Sequence, residues 1–374
     1  MNAQMRRAAM AASATAMAVL LAACGSAKQS GGSGGGDSAS KKAKGDDITV
    51  GLLLPENKTA RYESLDRPLI TKRISDLTNG KGKVVYENAQ QDATTQTQQM
   101  QTLITRKVDV IILDSVDSKS IASSVQKAKD AGIPVVAYDR LADGPIDAYT
   151  SFDNTEVGRV QANALVKKLG PKAKSGKIVM VNGSVTDPNA KMFKDGALPI
   201  LQKATTIAKK YDTPDWDPNN ANSEMAAAIQ AVGKNNIVGV YSANDDMAGA
   251  IIQAMKTAGM DPKKIPVTGQ DSTLTGVQRI LAGTQFMSIF KSYPQEASIA
   301  GQMAVDLAQG KSVDSVAPDK SNSNTTKNIP TKIVPVVALT KDNIKDTVVK
   351  DNYYKLSDIC TANYKAACKA AGLM

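Results

Sequence analysis

From residue 48 onward, short and almost wholly apolar runs alternate with longer amphipathic stretches. The apolar runs are ITVGLLL, KVVYENA, VDVIILD and IPVVAYD in the first half, and KIVMVNG, TIAKKYD, IVGVYSAN, IPVTGQD and QFMSIFK in the second. The stretches between them show helical spacing, as in Ile121, Val125 and Ala128. Strands without regular polar positions are covered on both faces, as in parallel sheets built from βαβ units. The pattern predicts an α/β protein of two doubly wound lobes, each a parallel sheet with helices on both faces.

The first 24 residues follow a different pattern. Arg6 and Arg7 precede an apolar run that is too short to cross a bilayer and ends in LAAC. We interpret residues 1–24 as a lipoprotein signal peptide that leaves a lipid on Cys24; an ordinary export signal with a chance cysteine is the alternative. The Gly/Ser/Lys-rich residues 25–46 have nothing to bury and predict a flexible tether. We therefore expect an extracytoplasmic protein, lipid-anchored to the outer face of the cell membrane.

The composition excludes several classes of function. The net charge is +10, but lysines and acidic residues are interspersed, and four phenylalanines and one tryptophan leave little for base stacking. We expect attraction to an anionic surface and no nucleic-acid partner. The chain contains no histidine, which excludes Ser-His-Asp and Cys-His catalysis and histidine metal ligands. We therefore expect neither a metal nor another cofactor.

Two cysteines, Cys360 and Cys368, remain apart from Cys24. On one continuous helix they would lie roughly 12 Å apart, too far for a disulfide. A bridge therefore needs a turn between them, around residues 361–363. Because an exported chain allows the pair to oxidise, we expect a disulfide; two free thiols are the alternative.

Polar and aromatic side chains follow the predicted strands. Ligands of open parallel sheets bind at the carboxyl ends of the strands, which makes these residues candidates. The candidates are Arg61, Tyr62, Asp139, Arg140, Asp187, Asn189, Trp216, Asn244, Asp271 and Lys291. They combine acceptors and donors without one dominant sign of charge, as the hydroxyls of a neutral sugar require. Asp153, Asn154 and Asp245 open helical patterns and are interpreted as helix caps.

Trp216, the only tryptophan, lies in the segment YDTPDWDP among aspartates and prolines. It can be a core residue or a flat platform for the apolar face of a sugar ring, and Tyr62 is the second candidate for that role. We favour the platform, with Asp215 and Asp217 as turn and cap residues.

The residues from about 48 to 310 resemble, in order and without large gaps, the D-xylose-binding members of the sugar-binding proteins that serve ABC importers. The resemblance is carried by ARYESLDRP, VVAYDRL, SFDN with VGRVQANALV, VNGS with DPNAKMFKDG, YDTPDWDP, SANDDMAGAI, TGQD and QRILAGTQ. The C-terminal CTANYKAAC also resembles Gram-positive members. Eight ordered blocks make a chance match implausible.

The resemblance implies that the ten candidates above contact the sugar, with Asp139 and Arg140 on ring hydroxyls and Trp216 stacked on the ring. Tyr62 stands where related proteins often have tryptophan, and Pro188 replaces an asparagine, so selectivity can differ there. Lys191 fits the motif but is not counted among the ligands; it is interpreted as a salt-bridge partner or as a residue that only resembles a phosphate-binding lysine.

The resemblance also implies a type I periplasmic-binding-protein fold with a three-segment hinge. The N-terminal lobe is expected to contain residues 47–151 and 291–325, and the C-terminal lobe residues 152–290 and 326–374. The last crossing is expected within 320–328. A helix over 294–309 should pack Ala300, Met303, Ala304 and Leu307 against the first lobe.

We expect a monomer that captures a monosaccharide, D-xylose, between two closing lobes and delivers it to an ABC permease. Glucose, arabinose, galactose and ribose are alternative ligands, and docking on a receptor kinase is an alternative role. We expect no enzyme, because Asp139, Asp187 and Asp271 each have a neighbour that should keep the carboxylate ionised. A sugar-responsive repressor would need a helix-turn-helix where the signal and tether stand.

Overall fold

The computed structural model describes residues 44–374. The predicted signal peptide, Cys24 and tether residues 25–43 lie outside the described residues. Within 44–374, no helix combines the length and apolar character that crossing a membrane requires.

Strands and helices alternate along most of this range. The strands are β1 (Thr49–Leu54), β2 (Lys83–Asn88), β3 (Val110–Leu113), β4 (Val135–Tyr138), β5 (Ala148–Phe152), β6 (Lys177–Asn182), β7 (Thr206–Asp212), β8 (Ile237–Ser242), β9 (Ser288–Lys291), β10 (Asp319–Ser321), β11 (Ile329–Val334) and β12 (Val336–Leu339). The helices are α1 (Arg67–Leu77), α2 (Ala93–Thr105), α3 (Ala122–Asp130), α4 (Asn154–Leu169), α5 (Lys172–Ser175), α6 (Pro188–Ala204), α7 (Pro218–Val232), α8 (Asp245–Thr257), α9 (Leu274–Ala282), α10 (Tyr293–Ala308), α11 (Leu356–Ile359) and α12 (Lys365–Ala370). Short helical turns cover Tyr62–Asp66, Pro214–Trp216, Lys234–Asn236, Lys341–Asn343 and Lys345–Val349.

The first sheet has the order β10-β11-β5-β4-β3-β1-β2 and is parallel except for the antiparallel β10. Successive side chains of β1 point to opposite faces: Leu52 and Leu54 pack with α1 and α10, whereas Leu53 packs with α2 and α3. Helices therefore cover both faces, as the continuous apolar strands predicted. Ala300, Met303 and Ala304 of α10 lie in this core, and Leu307 packs against it.

The second sheet has the order β7-β6-β8, all parallel. Backbone hydrogen bonds continue it through residues 266–271 to β9, which pairs with β12. The predicted strand IPVTGQD is therefore an extended segment with one β-bridge at Val267. TIAKKYD, predicted as a buried strand, is the edge strand β7 and is largely exposed, because an edge has a neighbour on one side only.

The chain passes between the two sheets three times, each time within one or two residues. The passages are at 153 between β5 and α4, at 292 between β9 and α10, and at 335 between β11 and β12. The last passage was predicted within 320–328, and this is wrong. Strand β11 pairs in parallel with β5, so the segment assigned to the C-terminal lobe extends the first sheet up to residue 334.

The C-terminal segment packs on α9 and the passages between the sheets. Ile344, Val348 and Tyr353 join a core with Phe152 and Tyr293. Cys360 and Cys368 are bonded, with their Cα atoms 5.8 Å apart. The chain turns between α11 and α12, which brings the two cysteines together as a bridge requires.

Candidate functional site

The ten candidate residues line one cavity between the carboxyl ends of the two sheets. The empty space between these side chains is about 310 Å³, including the part that opens to solvent. Each of the ten side chains belongs to a residue between 2 % and 6 % exposed. Strands β1 and β6 are the points where their sheets reverse strand order, and the loops that follow them contribute Arg61 and Asp187. Open α/β sheets bind ligands at such points.

Arg61 is held in place by carboxylates. Its Nε lies 3.0 Å from Asp66 Oδ2, and its Nη2 lies 2.8 Å from Asp139 Oδ2. Its guanidinium carbon stands 3.9 Å from the ring centre of Tyr293. Burial lowers the pKa of Arg61, but the charges of Asp139 and Asp66 more than offset this, so the pKa is above its usual value. Arg61 is therefore a fixed cation at any pH at which the protein is folded.

Arg140 bridges the loops at the ends of the two main sheets. Its Nε lies 3.0 Å from Asp187 Oδ2 and 3.5 Å from Asp114 Oδ1. Its remaining nitrogens donate to Ser115 O at 3.1 Å and to the hydroxyl of Tyr62 at 3.2 Å. The guanidinium thus fixes the ring of Tyr62 and reaches a carboxylate at the start of α6 across the cavity.

Asp139 follows β4 with a φ of 57°, a left-handed conformation that is uncommon for a non-glycine residue. This turns its carboxylate toward Arg61 and toward Asn189, whose Nδ2 donates to it at 2.8 Å. Asn154, interpreted as a cap, instead donates from Nδ2 to Asn189 Oδ1 at 2.9 Å, while Asp153 is the N-cap of α4. A chain of amides therefore fixes the orientation of Asn189.

Trp216 lies on the wall of the cavity and also belongs to the core around the second sheet. Its Nε1 donates to Asp187 Oδ2 at 3.1 Å, and its ring meets that of Phe193 edge to face at 6.4 Å between centres. A Cβ added at Gly183 would stand 2.1 Å from its Cη2, so only glycine leaves room for the indole there. Trp216 therefore packs in the core and also lines the cavity, while its stacking on a sugar ring stays a prediction.

The remaining second-lobe candidates sit at strand ends and helix starts. Lys291 Nζ lies 3.1 Å from Asp271 Oδ1, which also accepts from the hydroxyl of Tyr293 at 2.7 Å. Asn244 is the N-cap of α8, and its Oδ1 accepts from the amide of Met247 at 2.9 Å. The predicted cap was Asp245, one residue later. With Oδ1 used in this way, the amide nitrogen of Asn244 is the group suited to a ligand oxygen.

Burial and neighbouring charges separate the carboxylates of the site. Burial acts to raise the pKa of Asp139, but the cations Arg61, Lys291 and Arg140 lower it below its usual range. Burial raises the pKa of Asp187 despite Arg140. The pKa of Asp187 is thus raised whereas that of Asp139 is lowered, because the single cation beside Asp187 does not offset the loss of water.

Three cavity residues were missed: Thr59, Phe193 and Gln270. Phe193 stands four residues after Asn189 on α6 and thus shares its face, a signal that sequence spacing contains. Gln270 directly precedes Asp271. Lys191 lies outside the cavity, on the exposed side of α6, where it pairs with Asp195.

Sequence reasoning also missed the buried carboxyl groups that lie next to Arg61 and Arg140. Asp66, Asp114 and Glu296 are fully buried. Glu296 has no hydrogen-bond partner for either oxygen among residues 44–374, and burial raises its pKa well above the usual range. Within the same range, no cluster of acidic or cysteine side chains is arranged to hold a metal ion.

A family model described as a periplasmic binding protein domain matches residues 50–312. The chain belongs to the periplasmic binding protein family. Among its relatives in this family, the D-xylose-binding periplasmic protein of Escherichia coli is 34 % identical over 85 % of this chain and 94 % of its own length. The multiple sugar-binding periplasmic receptor of Rhizobium radiobacter is 32 % identical over 84 % of this chain and 93 % of its own.

Solved structures of periplasmic binding proteins share the fold. An ABC transporter solute-binding protein from Clostridium phytofermentans with bound β-D-glucose aligns with a TM-score of 0.75 and 26 % identity, over 83 % of this chain and 99 % of that chain. A carbohydrate transporter solute-binding protein from Chloroflexus aurantiacus in complex with D-glucose aligns with a TM-score of 0.73 and 26 % identity, over 83 % and 97 %. The predicted type I periplasmic-binding-protein fold is confirmed.

Proposed function

We propose that this protein is an extracytoplasmic solute-binding protein that holds one monosaccharide, D-xylose, in the cavity and delivers it to an ABC importer. The observation that carries the proposal is a cavity between the two sheets that is lined by both donors and acceptors. Arg140 and Lys291 donate, Asp139 and Asp187 accept, and Trp216 offers a flat apolar surface. A pyranose has hydroxyls around its edge and an apolar face of C–H groups, so this set matches each part of it.

Three polar pairs hold the cavity groups before a ligand arrives: Arg61 with Asp139, Arg140 with Asp187, and Lys291 with Asp271. Each pair presents both a donor and an acceptor to one region of the cavity. A sugar hydroxyl both donates and accepts, so it can bridge such a pair. An analogue that lacks one hydroxyl leaves a buried group unpaired, at a cost of about 1 to 3 kcal/mol.

D-xylose is the proposed ligand because the Escherichia coli relative named for it is 34 % identical over nearly its whole length. Glucose is the main alternative, because two related structures hold it. The distinction depends on whether the cavity accommodates the additional hydroxymethyl group of a hexose.

We also propose that the lobes close on the sugar and that a lipid on Cys24 holds the monomer at the outer membrane face. A ligand that contacts both lobes stabilises the closed state by its differential affinity for it. The proposed lobes are residues 47–152 with 293–334 and residues 153–292 with 335–374. A Cys24→Ala variant should move from the membrane fraction to the soluble fraction; unchanged fractionation would contradict the anchor.

The test of the ligand is a titration of the mature chain with D-xylose, D-glucose, L-arabinose, D-galactose and D-ribose, followed by calorimetry and by tryptophan emission. Trp216 is the only tryptophan, so the emission reports on the cavity wall. The expected result is tightest binding of D-xylose, with an emission change. Tighter binding of another monosaccharide would identify that sugar as the ligand instead of D-xylose. The absence of binding heat with all five sugars would overturn the proposed function.

A further inference from the structure

Contacts between the lobes continue outside the sugar cavity. Lys58 Nζ lies 2.9 Å from Asp217 Oδ2, and the amide of Ala60 donates to Asp246 Oδ2 at 3.4 Å. Lys58 and Ala60 belong to the loop after β1 of the first sheet, whereas the two carboxylates begin α7 and α8 of the second lobe. None of these four residues lines the cavity. The loop and the two helix starts therefore join the lobes without the sugar.

The loop is fixed before it reaches the other lobe. Glu56 is fully buried, and its carboxylate accepts from the amide of Lys58 and from the amide of Thr59 at 2.9 Å. The side-chain Nδ2 of Asn88 donates to the backbone carbonyl of Glu56 at 3.1 Å. A buried carboxylate that caps its own turn leaves the backbone at Lys58 little freedom, so Lys58 is presented in one direction.

The receiving side is equally fixed. Asp217 is the N-cap of α7, and its Oδ1 accepts from the amide of Asn219 at 2.8 Å, which leaves Oδ2 for Lys58. The hydrogen bond from Lys58 lowers the pKa of Asp217, so the carboxylate is ionised at neutral pH. The pair is also shielded: the Lys58 side chain is 37 % exposed and that of Asp217 is 22 %. An ion pair between two fixed, half-covered groups loses less entropy than one between free surface chains.

We propose that Lys58 and Asp217 form a clasp that holds the lobes closed and sets how slowly the sugar is released, without contact to the sugar. The inference rests on the proposed function, since a clasp is useful where the lobes open and close on a ligand. Because the clasp acts on closure alone, it stabilises every closed complex equally. It therefore changes residence time and leaves the ratio of affinities for two sugars unchanged, unlike a residue of the cavity.

The test is a double-mutant cycle with Lys58→Gln and Asp217→Asn. Asparagine retains the N-cap of α7, so the second variant removes the charge and keeps the helix start. Release of D-xylose and of D-glucose is followed by stopped-flow tryptophan emission at low and high salt. Lys58→Gln is expected to speed the release of both sugars about two- to fivefold at low salt and less at high salt. In the Asp217→Asn background, Lys58→Gln is expected to have no further effect.

A matched control is available within the second lobe. Lys194 and Asp212 form a pair at 2.7 Å with side chains 24 % and 33 % exposed, similar to the clasp, but both residues lie in the same lobe. Lys194→Gln is expected to leave release unchanged. An equal effect of both lysine variants, a persistent effect of Lys58→Gln in the Asp217→Asn background, or a changed preference between D-xylose and D-glucose would each overturn the clasp.

Small-angle X-ray scattering of the ligand-free variants tests the clasp independently of sugar binding, so failure of the clasp can be told apart from failure of the proposed function. Lys58→Gln is expected to increase the radius of gyration relative to the wild type at low salt, whereas Lys194→Gln is not. If the wild type binds no sugar, the proposed function fails, and the scattering alone decides on the clasp. Identical radii for all three proteins would then overturn it.

Discussion

The two halves of the cavity are built in different ways. In the first-lobe half, side chains hold side chains: Arg61 is fixed by Asp66 and Asp139. In the second-lobe half, backbone holds side chains: Asp187 and Asn244 are N-caps whose oxygens accept from amides of α6 and α8. The first half depends on a charge network, whereas the second combines helix ends with one ion pair, Lys291 with Asp271.

The two halves of the cavity should therefore tolerate different kinds of substitution. A charge network fails when one member is removed, because the partners remain buried and unpaired. A helix end keeps its geometry when a side chain changes, provided that the new residue still caps it. We therefore expect the first half to be sensitive to loss of charge and the second to be sensitive to shape.

The largest effect is expected for Arg140→Ala. Its removal leaves Asp187 and Asp114 buried without their cation, and loss of one partner of a buried pair costs about 3 to 5 kcal/mol. Sugar affinity, measured by calorimetry, should fall about 100-fold or more. As a control, Arg159→Ala removes an exposed arginine that pairs with Glu156 and should change affinity less than twofold. A loss below tenfold for Arg140→Ala would contradict the charge-network account.

The next effect concerns stability and pH in the second lobe. Asp245 is fully buried, accepts from Ser288 and Thr273, and has its pKa raised to about 7, chiefly by burial. Between about pH 4 and pH 7, the Asp245 carboxyl is therefore protonated in the native state and ionised in the unfolded chain. Stability from this group is present at low pH and is lost as the pH rises from about 4 to about 7, by up to about 1.4 kcal/mol per unit.

Asp245→Asn should remove that loss. Urea unfolding of both proteins between pH 5 and 8 measures it: the free energy of unfolding of the variant relative to the wild type should rise by about 2 kcal/mol from pH 5 to 7 and then stay level. A constant difference across this range would show that the helix end holds the carboxylate ionised.

Gly183→Ala tests the dependence of the second half on shape. The added Cβ would stand 2.1 Å from Trp216 Cη2 and must displace the indole, and overpacking of this kind costs about 1 to 3 kcal/mol. Calorimetry should show sugar binding about tenfold weaker. Gly45→Ala, where no atom lies within 4 Å of the new Cβ, is the control and should bind like the wild type. Unchanged affinity of Gly183→Ala would mean that the exact position of Trp216 is unimportant.

The smallest effect is expected for Lys191→Ala. The side chain is 76 % exposed and pairs with Asp195 one helical turn away, which is worth a few tenths of a kcal/mol. Affinity for D-xylose should stay within twofold of the wild type. A fivefold loss of affinity would show that Lys191 belongs to the binding site.

Sequence alone predicted ten residues that line the cavity because they lie at the ends of predicted strands or in the loops that follow them, and the carboxyl ends of parallel strands converge on one edge. Phe193 was missed because it lies a helical turn into α6, away from the strand end. Glu296 was missed because nothing near it in sequence pairs with it: its nearest cation, Arg61, is in another part of the chain. Partners that only folding brings together leave no local signal.

The fold was predicted well where strands are buried on both faces, and less well elsewhere. IPTKIV was not recognised as β11 because Pro330 and Lys332 interrupt its apolar pattern. Both are compatible with a strand near the edge of the sheet, next to the short β10. The error moved the last passage between the lobes by several residues.

The short passages between the sheets have a consequence for the entropy of closure. Since each passage occupies one or two residues, at 153, 292 and 335, few backbone dihedrals need to change for the lobe rotation proposed above. Fixing one residue costs about 1 to 2 kcal/mol, and Pro335 already has its φ restricted by its ring. A long, loose linker would have to be ordered at each capture. In the proposed closure, short passages of this kind leave more of the binding free energy of the sugar available for affinity than a long linker would.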